Sequence, residues 1–310
     1  MRVMVAGASG FVGSSISVRY KGLGHEVIDI ARDTVDLTSL QDTIEMMYET
    51  KPDLVIDAAA KVGGIGANYA SPVDFLSDNL RIQTNLMHAS HLVDVDKFVF
   101  LGSSCVYPRE SKLPIKEEYL MSGALEATNS AYAVAKIAGL ELIRAYRKQY
   151  NRKWISLMPT NLYGPRDNFN LESSHVLPAL IRRFIEATEL KSGQVTLWGS
   201  GTPMREFLHV DDLANAVVLA AERYDSSLHL NVGTGEDLSI KELAKKVSLA
   251  VGFTGAIQWD TTKPNGTPRK VLDVSRVRAL GWRPTITLDE GVASTITWYK
   301  EANSRGEVRK

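Results

Sequence analysis

The 310-residue sequence predicts an α/β fold, in which a doubly wound parallel sheet is joined to a smaller, mixed α/β C-terminal substrate domain. Three observations lead to this prediction. Short apolar segments alternate with longer helical patterns in the first half of the chain, which is typical of a parallel sheet with helices on both faces. A glycine-rich turn follows the first apolar segment. After Pro165 the predicted elements become shorter and mixed.

The predicted elements of the first half alternate regularly between the two types. We predict strands at Val3–Ala6, His25–Ala31, Asp53–Ala60, Lys97–Gly102 and Lys153–Met158, and helices at Ser14–Lys21, Phe75–Val93 and Asn129–Tyr150. In an open parallel sheet of this kind the ligand binds at the carboxyl ends of the strands. Residues that directly follow the predicted strands are therefore the first candidates for a functional site.

The second half contains fewer regular elements. Val195–Trp198 and Ala256–Trp259 are predicted strands, and Leu288–Tyr299 is a predicted terminal helix. Ser239 and Glu242 have the spacing of a capping box, in which each residue bonds the backbone N–H of the other. We therefore expect a helix to begin at Ile240 and to end near Val251.

Composition excludes several classes of protein. Lys and Arg together number 36, and so do Asp and Glu, so the chain lacks the basic excess of a nucleic-acid binder. The single cysteine, Cys105, cannot form an intrachain disulfide, which is typical of reducing compartments. No apolar run approaches the ~18 residues of a membrane span, and Val3–Ala6 is too short for a signal-peptide core. We expect a cytoplasmic protein without a membrane partner and predict no metal site.

The glycine-rich turn lies between the first predicted strand and the first predicted helix. It reads Gly7, Ala8, Ser9, Gly10, Phe11, Val12 and Gly13. Glycines permit a tight turn and let backbone N–H groups approach a pyrophosphate, which the helix N-terminus also favours. The turn therefore indicates a Rossmann-like dinucleotide site. A turn that only reverses the chain is the alternative.

The end of the second strand bears on the choice between NADP and NAD. NAD enzymes often carry an acidic residue there, which binds the ribose hydroxyls. In this chain the expected position falls on Ala31, and Arg32 follows it. A cation favours the 2′-phosphate, so we predict NADP(H). Asp29 leaves NAD open, because a small change of register would make it the ribose ligand.

Tyr132 and Lys136 have the spacing that places two side chains on one helical face. A free tyrosine has a pKa of ~10, and a nearby ammonium lowers it toward the range of proton transfer. We therefore predict that Lys136 lowers the pKa of Tyr132. Ser103 follows a predicted strand, where its hydroxyl can donate a hydrogen bond to a substrate carbonyl. Each feature alone is compatible with an ordinary helix or turn, but together they indicate a reductase.

Several longer segments resemble the extended short-chain dehydrogenase/reductases and, within them, the GDP-L-fucose synthase family. The resemblance covers essentially the whole chain and includes the glycine turn, Ser103, Tyr132 and Lys136. The segments are Ala58-Ala-Ala-Lys-Val-Gly-Gly64, Leu101-Gly-Ser-Ser-Cys105, Pro159-Thr-Asn-Leu-Tyr-Gly-Pro165, Trp198-Gly-Ser-Gly-Thr-Pro-Met-Arg-Glu-Phe207, Arg205-Glu-Phe-Leu-His-Val-Asp-Asp212 and Gly266-Thr-Pro-Arg-Lys270.

The resemblance implies a 3,5-epimerisation and a 4-reduction of GDP-4-keto-6-deoxy-D-mannose at one site. It implies that Cys105 removes the acidified sugar protons and that His175 returns a proton on the opposite face. A free thiol with a pKa of ~8.5 is a plausible base if its surroundings favour the thiolate, and histidine suits proton transfer near neutrality. In the reduction, Tyr132 is expected to protonate the C4 oxygen, Ser103 to polarise it, and Lys136 to support Tyr132.

The resemblance also implies the residues that bind each ligand. Around the cofactor it places Leu101, Gly102, Ser103, Ser104, Lys136, Pro159, Thr160, Asn161, Leu162 and His175, in addition to the glycine turn and Arg32. Around the GDP-sugar it places Arg183, Trp198, Arg205, Asn265 and Lys270. Arginine suits a pyrophosphate because its planar group binds two oxygens at once. The alternative for Arg183 is a solvated helix face.

Two positions depart from the family pattern. Asn265 stands where the family usually has Asp, so the expected substrate contact carries no charge. Ala8 and Ser9 stand where one branch of the family has a basic pair, so one cofactor phosphate contact is missing and Arg32 alone supports NADP.

The resemblance further implies the domain division and the assembly. We predict a homodimer that packs through Phe75–Val93 and Asn129–Tyr150. We predict an NADP-binding domain over 1–164 with a return segment at about 206–232, and a nucleotide-sugar domain over 165–205 and 233–310.

Two other functions remain open from the sequence. One is a 4-reductase or an epimerase of another GDP-4-keto sugar, such as a 6-deoxy-heptose. The other is a non-catalytic dinucleotide-binding protein, because a fold alone does not prove turnover.

Overall fold

The computed structural model describes residues 1–263 and 265–309, and the element types predicted for the first half are confirmed. The strands are β1 (Arg2–Ala6), β2 (Glu26–Ile30), β3 (Leu54–Asp57), β4 (Lys97–Leu101), β5 (Ile155–Pro159), β6 (Asn161–Tyr163), β7 (Gln194–Trp198), β8 (Met204–Arg205), β9 (Phe207–His209), β10 (Leu230–Val232), β11 (Leu238–Ser239), β12 (Ala256–Asp260) and β13 (Arg269–Lys270). The helices are α1 (Phe11–Gly22), α2 (Leu40–Thr50), α3 (Ile65–Ala70), α4 (Pro72–Leu92), α5 (Ser130–Tyr150), α6 (Val176–Glu189), α7 (Val210–Arg223), α8 (Ile240–Val251), α9 (Ser275–Ala279) and α10 (Leu288–Ser304). Short 3₁₀ turns span Ser104–Val106, Glu117–Tyr119 and Ala127–Asn129.

Six parallel strands form the main sheet, in the order β10-β5-β4-β3-β1-β2. The chain starts at β1, moves outward to β2 and then crosses to β3 on the other side of β1. This reversal opens a crevice at the carboxyl ends of β1 and β3, where doubly wound sheets bind their ligands. The predicted Rossmann-like fold class is confirmed.

Smaller sheets follow the main sheet. β7 pairs in parallel with β12, and β6 pairs in parallel with β9. β8 lies between β11, which is antiparallel to it, and β13, which is parallel to it. β6, β8, β9, β11 and β13 have only two or three residues each, whereas β7 and β12 have five, as many as most strands of the main sheet.

The capping signals in the sequence act as expected. The side chain of Ser239 accepts a hydrogen bond from the N–H of Glu242, and Glu242 accepts one from the N–H of Ser239, so α8 begins with a complete capping box. Gly252 ends the helix in the left-handed conformation, with a φ of 85°, which glycine adopts without a steric penalty. The predicted bounds Ile240–Val251 are confirmed.

Two hydrophobic cores support these layers. One core surrounds the main sheet and includes the apolar face of α7 as well as Leu272 and Trp282. The other joins α6, α8 and α10, where the rings of Phe184 and Phe253 lie 5.3 Å apart. Late segments therefore contribute to the first core, and the predicted domain boundaries stay a prediction.

None of the helices in the described part of the chain combines the length and the apolar character that a membrane crossing requires.

Candidate active site

In the glycine turn between β1 and α1, two glycines lie so close to neighbouring backbone atoms that a side chain would not fit. Gly7 has a φ of 81°, and a Cβ built on it would lie 2.8 Å from the carbonyl oxygen of Ala58. A Cβ on Gly13 would lie only 2.2 Å from the carbonyl oxygen of Gly7. The N–H of Gly7 donates to the carbonyl oxygen of Ile30 at 2.8 Å. Glycine is therefore required at both positions to hold the turn beside β2 and β3.

The N-terminus of α1 has the properties of a phosphate site. Gly10 is the N-cap, no side chain caps the helix, and its first turn contains no acidic residue. The first N–H groups of a helix have no partner within the helix and attract anions. The narrow turn and the uncapped helix together fit the pyrophosphate of a dinucleotide.

Arg32 and Asp29 differ in their availability to a ligand. Asp29 accepts a hydrogen bond from Ser17 at 2.6 Å and also bonds the ammonium of Lys21, so its carboxylate is held against α1. Arg32 lies just beyond β2, is exposed, and forms no ion pair with any residue in the ranges 1–263 and 265–309. This arrangement favours a 2′-phosphate near Arg32 over a ribose hydroxyl at Asp29.

The residues after β4 form a tight turn beside the crevice. The Ser103 oxygen accepts a hydrogen bond from the N–H of Cys105 at 3.3 Å, which caps the turn. A Cβ on Gly102 would lie 2.0 Å from the methyl group of Met158, so β4 and β5 pack closely there. Ser104 is buried, which agrees with a role inside the turn. The turn fixes the backbone from which the Ser103 and Cys105 side chains project.

Tyr132 and Lys136 lie one turn apart on α5, as predicted. The Lys136 ammonium donates to the carbonyl oxygen of Leu101 at 2.9 Å. It also lies 4.7 Å from the ring centre of Phe100 and 6.0 Å from that of Tyr132. Lys136 is buried. It therefore holds α5 against the end of β4, next to the tyrosine.

The prediction that Lys136 lowers the pKa of Tyr132 is wrong for this structure. Burial raises the pKa of Tyr132 well above its usual value, and the nearby Cys105 and Asp57 raise it further, while the Ser103 hydroxyl opposes the increase. The phenol is partly enclosed, and the Lys136 ammonium is directed at Leu101. Tyr132 is therefore a neutral phenol that gives up its proton less readily than a free tyrosine does.

Asp57 is a part of the site that the sequence analysis missed. It ends β3 and is completely buried. One carboxylate oxygen accepts a hydrogen bond from the N–H of Ala59 at 3.2 Å, and the other has no partner among the described residues. Burial raises the pKa of Asp57 to about 6, although the charge of Lys136 opposes the shift. Burial lowers the pKa of Lys136 in turn, and Asp57 opposes that decrease.

Cys105 lies between an amide and two cations. The Asn129 side-chain nitrogen donates to the Cys105 sulfur at 3.3 Å. Arg205 and Lys270 are close enough to Cys105 for their charges to interact with a thiolate. They are paired across the neighbouring strands β8 and β13. The predicted base and two predicted substrate residues therefore share one side of the cleft.

Arg205 and Lys270 form a pair of like charges in partly buried positions. Burial lowers the pKa of each, and the carboxylate of Glu126 opposes the decrease for both. For Lys270 the charge of Arg205 contributes a further decrease. Two adjacent cations that repel each other form a natural binding site for a multiply charged anion.

Glu206 anchors this cation pair and was not assigned a role from the sequence. It is completely buried. Its carboxylate accepts hydrogen bonds from the N–H of Gly235 at 2.8 Å and from the N–H of Leu272 at 2.9 Å. Because Glu206 follows Arg205 and Leu272 follows β13, the carboxylate ties the strand of Arg205 to the strand of Lys270.

His175 is the N-cap residue of α6. Its side chain is exposed to solvent at one side, and desolvation by the surrounding protein lowers its pKa. The N–H of Gly64 donates to the carbonyl oxygen of Ser173 at 2.8 Å, which joins the loop after β3 to the loop before α6. The described contacts thus connect His175 with the Ala58–Gly64 segment, and no direct contact with Cys105 is seen in the described residues.

The segment Pro159–Leu162 continues from the end of β5. The N–H of Thr160 donates to the carbonyl oxygen of Val232 at 3.0 Å. The Asn161 side chain donates to the carbonyl oxygen of Glu206 at 2.8 Å. The segment therefore lies at the carboxyl edge of the sheet and is linked to the strand that carries Arg205.

Three of the residues predicted to bind the GDP-sugar differ in their surroundings: Arg183, Trp198 and Asn265. Arg183 is partly exposed on α6 and forms no ion pair or hydrogen bond through its side chain within the described ranges. Trp198 is 66% exposed, and the ammonium of Lys263 lies 5.5 Å from its ring centre. The Asn265 side-chain oxygen accepts a hydrogen bond from the N–H of Ser200 at 2.8 Å. Its acceptor atom is therefore already used, which leaves only the amide nitrogen for a ligand.

Comparison with known proteins shows what this chain is similar to. A model of the NAD dependent epimerase/dehydratase family matches residues 3–233. GDP-L-fucose synthase of Escherichia coli (strain K12) is 48% identical over 314 residues, which cover 98% of this chain and 98% of that protein. A solved GDP-6-OMe-4-keto-L-xylo-heptose reductase from C. jejuni matches with a TM-score of 0.91 at 34% identity, over 97% of this chain and 98% of the other. A GDP-L-fucose synthetase from Naegleria fowleri bound to NADP matches with a TM-score of 0.91 at 27% identity, over 100% of this chain and 96% of that chain.

Proposed function

Since the chain belongs to the NAD dependent epimerase/dehydratase family, we propose that it converts GDP-4-keto-6-deoxy-D-mannose to GDP-L-fucose, by a 3,5-epimerisation followed by an NADPH-dependent 4-reduction. The observation that carries this proposal is the convergence of an acid, a base and a cation pair in one cleft. Tyr132 and Cys105 interact with each other electrostatically, and Cys105 interacts with Arg205 and Lys270. The E. coli relative, which matches over 98% of both chains and is named GDP-L-fucose synthase, supports the choice of substrate.

NADP(H) is the cofactor that the chain fits. The turn between Gly7 and Gly13 and the uncapped start of α1 would hold the pyrophosphate, and Arg32 would hold the 2′-phosphate. Asp29 is occupied by Ser17 and Lys21. The related Naegleria fowleri enzyme was solved with NADP bound. When bound, the reduced cofactor supplies the hydride for the reduction at C4.

In the epimerisation the chain's own residues move protons at the sugar. The 4-keto group acidifies the C3 and C5 protons, and Ser103 and Tyr132 donate hydrogen bonds to its oxygen. The Cys105 thiolate, which faces the Asn129 amide and two cations, removes a proton. His175 returns a proton on the opposite face. The lowered pKa of His175 keeps the imidazole neutral in the free protein, so it must acquire its proton before it can act as the acid.

In the reduction Tyr132 acts as the general acid. The phenol is protonated at neutral pH and gives its proton to the developing C4 oxyanion. Ser103 donates a hydrogen bond to the same oxygen. Lys136 holds the end of β4 through Leu101 and places a positive charge near the resulting phenolate. One carbonyl site therefore serves both half-reactions.

The diphosphate of the substrate is expected to lie between Arg205 and Lys270. These two side chains are adjacent across β8 and β13. A diphosphate carries the negative charge that would offset the repulsion between these two cations. Arg183 and the exposed ring of Trp198 extend the site toward the nucleoside.

Oxidation of NADPH at 340 nm with GDP-4-keto-6-deoxy-D-mannose, followed by identification of the product, tests the proposal. We expect GDP-L-fucose as the product. NADPH oxidation that yields an unepimerised sugar, or no oxidation by the folded enzyme, would reject it.

A reductase of a GDP-4-keto-heptose is the second candidate, and the likeness to the C. jejuni heptose reductase favours it. The two candidates differ in the need for epimerisation at C3 and C5. Incubation with the deoxy-mannose substrate in deuterated water without NADPH separates them. Deuterium at C3 and C5 supports the fucose synthase, whereas its absence supports a reductase that does not epimerise this sugar.

The proposed homodimer would pack through α4 and α5. Each of these helices carries exposed apolar residues: Val73 and Leu92 on α4, and Val134 and Tyr150 on α5. Light scattering during size exclusion tests this assembly, and a mass of one chain at micromolar concentration would reject it. The cytoplasmic location remains a prediction.

A further inference from the structure

We propose that Asn129 is a positioning residue that orients and stabilises the Cys105 thiolate for proton abstraction. The proposal rests on the proposed function, because it takes Cys105 as the base of the epimerisation. It assigns Asn129 no contact with the reacting atoms: the amide acts only through the sulfur.

The geometry between the amide and the thiol is direct. Asn129 closes the short 3₁₀ turn before α5 and is the N-cap residue of that helix. Asparagine at an N-cap commonly bonds the helix backbone through its side chain. Here the side chain makes no such bond and instead donates to the Cys105 sulfur at 3.3 Å. No capping bond therefore holds the side chain, and the thiol is its only hydrogen-bond partner among the described residues.

The surroundings of the Asn129 side-chain oxygen agree with an amide whose nitrogen is directed at the Cys105 sulfur. The Asn129 side-chain oxygen is buried and has no hydrogen-bond partner within the described ranges. An N–H group directed at sulfur favours the thiolate, because the charged sulfur is a much stronger acceptor than the neutral thiol. A buried, unpaired oxygen costs free energy, so the orientation of the amide is set by its nitrogen and not by its oxygen.

Asn129 supplies a directional contact that the neighbouring charges do not. Arg205 and Lys270 also favour a negative charge at Cys105, but they act through space and without a hydrogen bond to the sulfur among the described residues. Ser103 fixes the backbone of Cys105 by accepting its N–H. Asn129 fixes the side chain of Cys105 through the hydrogen bond to its sulfur. One hydrogen bond therefore holds the backbone of Cys105 and another holds its side chain.

The proposed role of Asn129 predicts different effects on the epimerisation and on the reduction. Proton removal at C3 and C5 depends on the thiolate, and hence on Asn129. Proton donation to the C4 oxygen depends on Tyr132, to which the Asn129 side chain makes no hydrogen bond within the described ranges. Loss of the amide should therefore slow the epimerisation much more than the reduction.

Cys105 is the only cysteine of the chain, so its reactivity can be measured without interference. The test compares the rate of alkylation by iodoacetamide, read by intact mass, across pH 5 to 10 for wild type, Asn129→Leu and Asn129→Asp. Ser130→Ala is the matched control, because its hydroxyl bonds the carbonyl oxygen of Ala127 rather than the thiol.

We expect the midpoint of the alkylation profile to rise by about one pH unit in Asn129→Leu, since a hydrogen bond to a charged group is lost. Asn129→Asp should raise it further, because a carboxylate repels the thiolate. The midpoint of Ser130→Ala should stay at the wild-type value. Equal midpoints for all folded variants would overturn the proposal, and so would a lower midpoint in Asn129→Asp.

A second measurement follows deuterium wash-in at C3 and C5 without NADPH, at pH 7. Asn129→Leu should lower the wash-in rate at least tenfold, and most of the loss should be recovered at high pH, where the thiol ionises unaided. A merely structural defect would not recover with pH, and such a result would also overturn the proposal. Alkylation needs no substrate, so it remains informative if the wild-type enzyme makes no GDP-L-fucose and the proposed function fails.

Discussion

Replacement of Asp57 by asparagine should stabilise the protein at neutral pH. The carboxylate lies completely buried at the end of β3, with only one of its oxygens hydrogen-bonded, to the N–H of Ala59. An ionised carboxylate in such a place has lost its hydration without adequate compensation. Asparagine keeps the shape and the oxygen that Ala59 requires but carries no charge.

The size and the direction of the effect follow from the pKa of Asp57. Burial raises it from 3.8 to about 6, even though Lys136 opposes the shift, so the change is about 2 units. Each unit corresponds to ~1.4 kcal/mol, which gives a cost of about 3 kcal/mol for the ionised group. Between pH 4 and 6 the folded state binds the proton more tightly than the unfolded state, so stability falls as pH rises through this window and stays lower above it.

Urea unfolding at pH 4.5, 5.5 and 7.5, followed by circular dichroism, measures this difference. Asp57→Asn should exceed wild type by about 3 kcal/mol at pH 7.5 and by only about 1 kcal/mol at pH 4.5. Asp96→Asn is the control, because Asp96 is exposed and its replacement should change the free energy of unfolding little at any pH. A gain for Asp57→Asn that is the same at all three pH values, or no gain at pH 7.5, would show that the buried carboxylate is not the source of the cost.

Three further predictions concern the cofactor, the acid and the cation pair. Tyr132→Phe should lower the rate of NADPH oxidation by about 10²–10⁴-fold but leave deuterium wash-in measurable, and a rate equal to wild type would contradict the assignment. Gly13→Ala places a methyl group 2.2 Å from the Gly7 oxygen, so the Kd for NADPH, measured by fluorescence, should rise at least tenfold; an unchanged Kd would contradict the fit. Lys270→Gln should raise KM for the GDP-sugar by about 10–100-fold with little change in kcat, since a charge-assisted contact is lost, whereas the exposed Lys245→Gln should change neither; equal kinetics for both lysine variants would argue against the diphosphate site.

The alternation of strands and helices could be predicted because each buried strand is a short apolar run with glycine or charged residues beside it. No helix was predicted at α2, α3, α7 or α9, and α6 was expected only as a helix face around Arg183. α3 (Ile65–Ala70) and α9 (Ser275–Ala279) are too short to show a helical period. α6 (Val176–Glu189) contains Pro178, which normally ends a helical pattern but is tolerated in the first turn. α2 (Leu40–Thr50) and α7 (Val210–Arg223) do have an apolar face, which was overlooked.

The site could be predicted wherever a residue directly follows a strand or shares a helical face, as with Ser103 and the pair of Tyr132 and Lys136. The partners of those residues could not be predicted. Asp57 fell inside the predicted strand Asp53–Ala60, although the strand ends at Asp57 itself and leaves the carboxylate at the crevice. Asn129 approaches Cys105 only because α5 packs beside the turn after β4. Such contacts depend on the folded arrangement and have no sequence signal.

Part of the unfavourable electrostatics of this protein lies where its ligands would bind. Arg205 and Lys270 repel each other across paired strands, and burial lowers the pKa of both. Lys136 and Asp57 are buried opposite charges without a direct hydrogen bond between them. A hydrophobic replacement of comparable volume would favour folding at such positions. Their presence therefore agrees with selection for function, because a diphosphate would offset the first repulsion and the phenolate formed at Tyr132 would use the charge of Lys136.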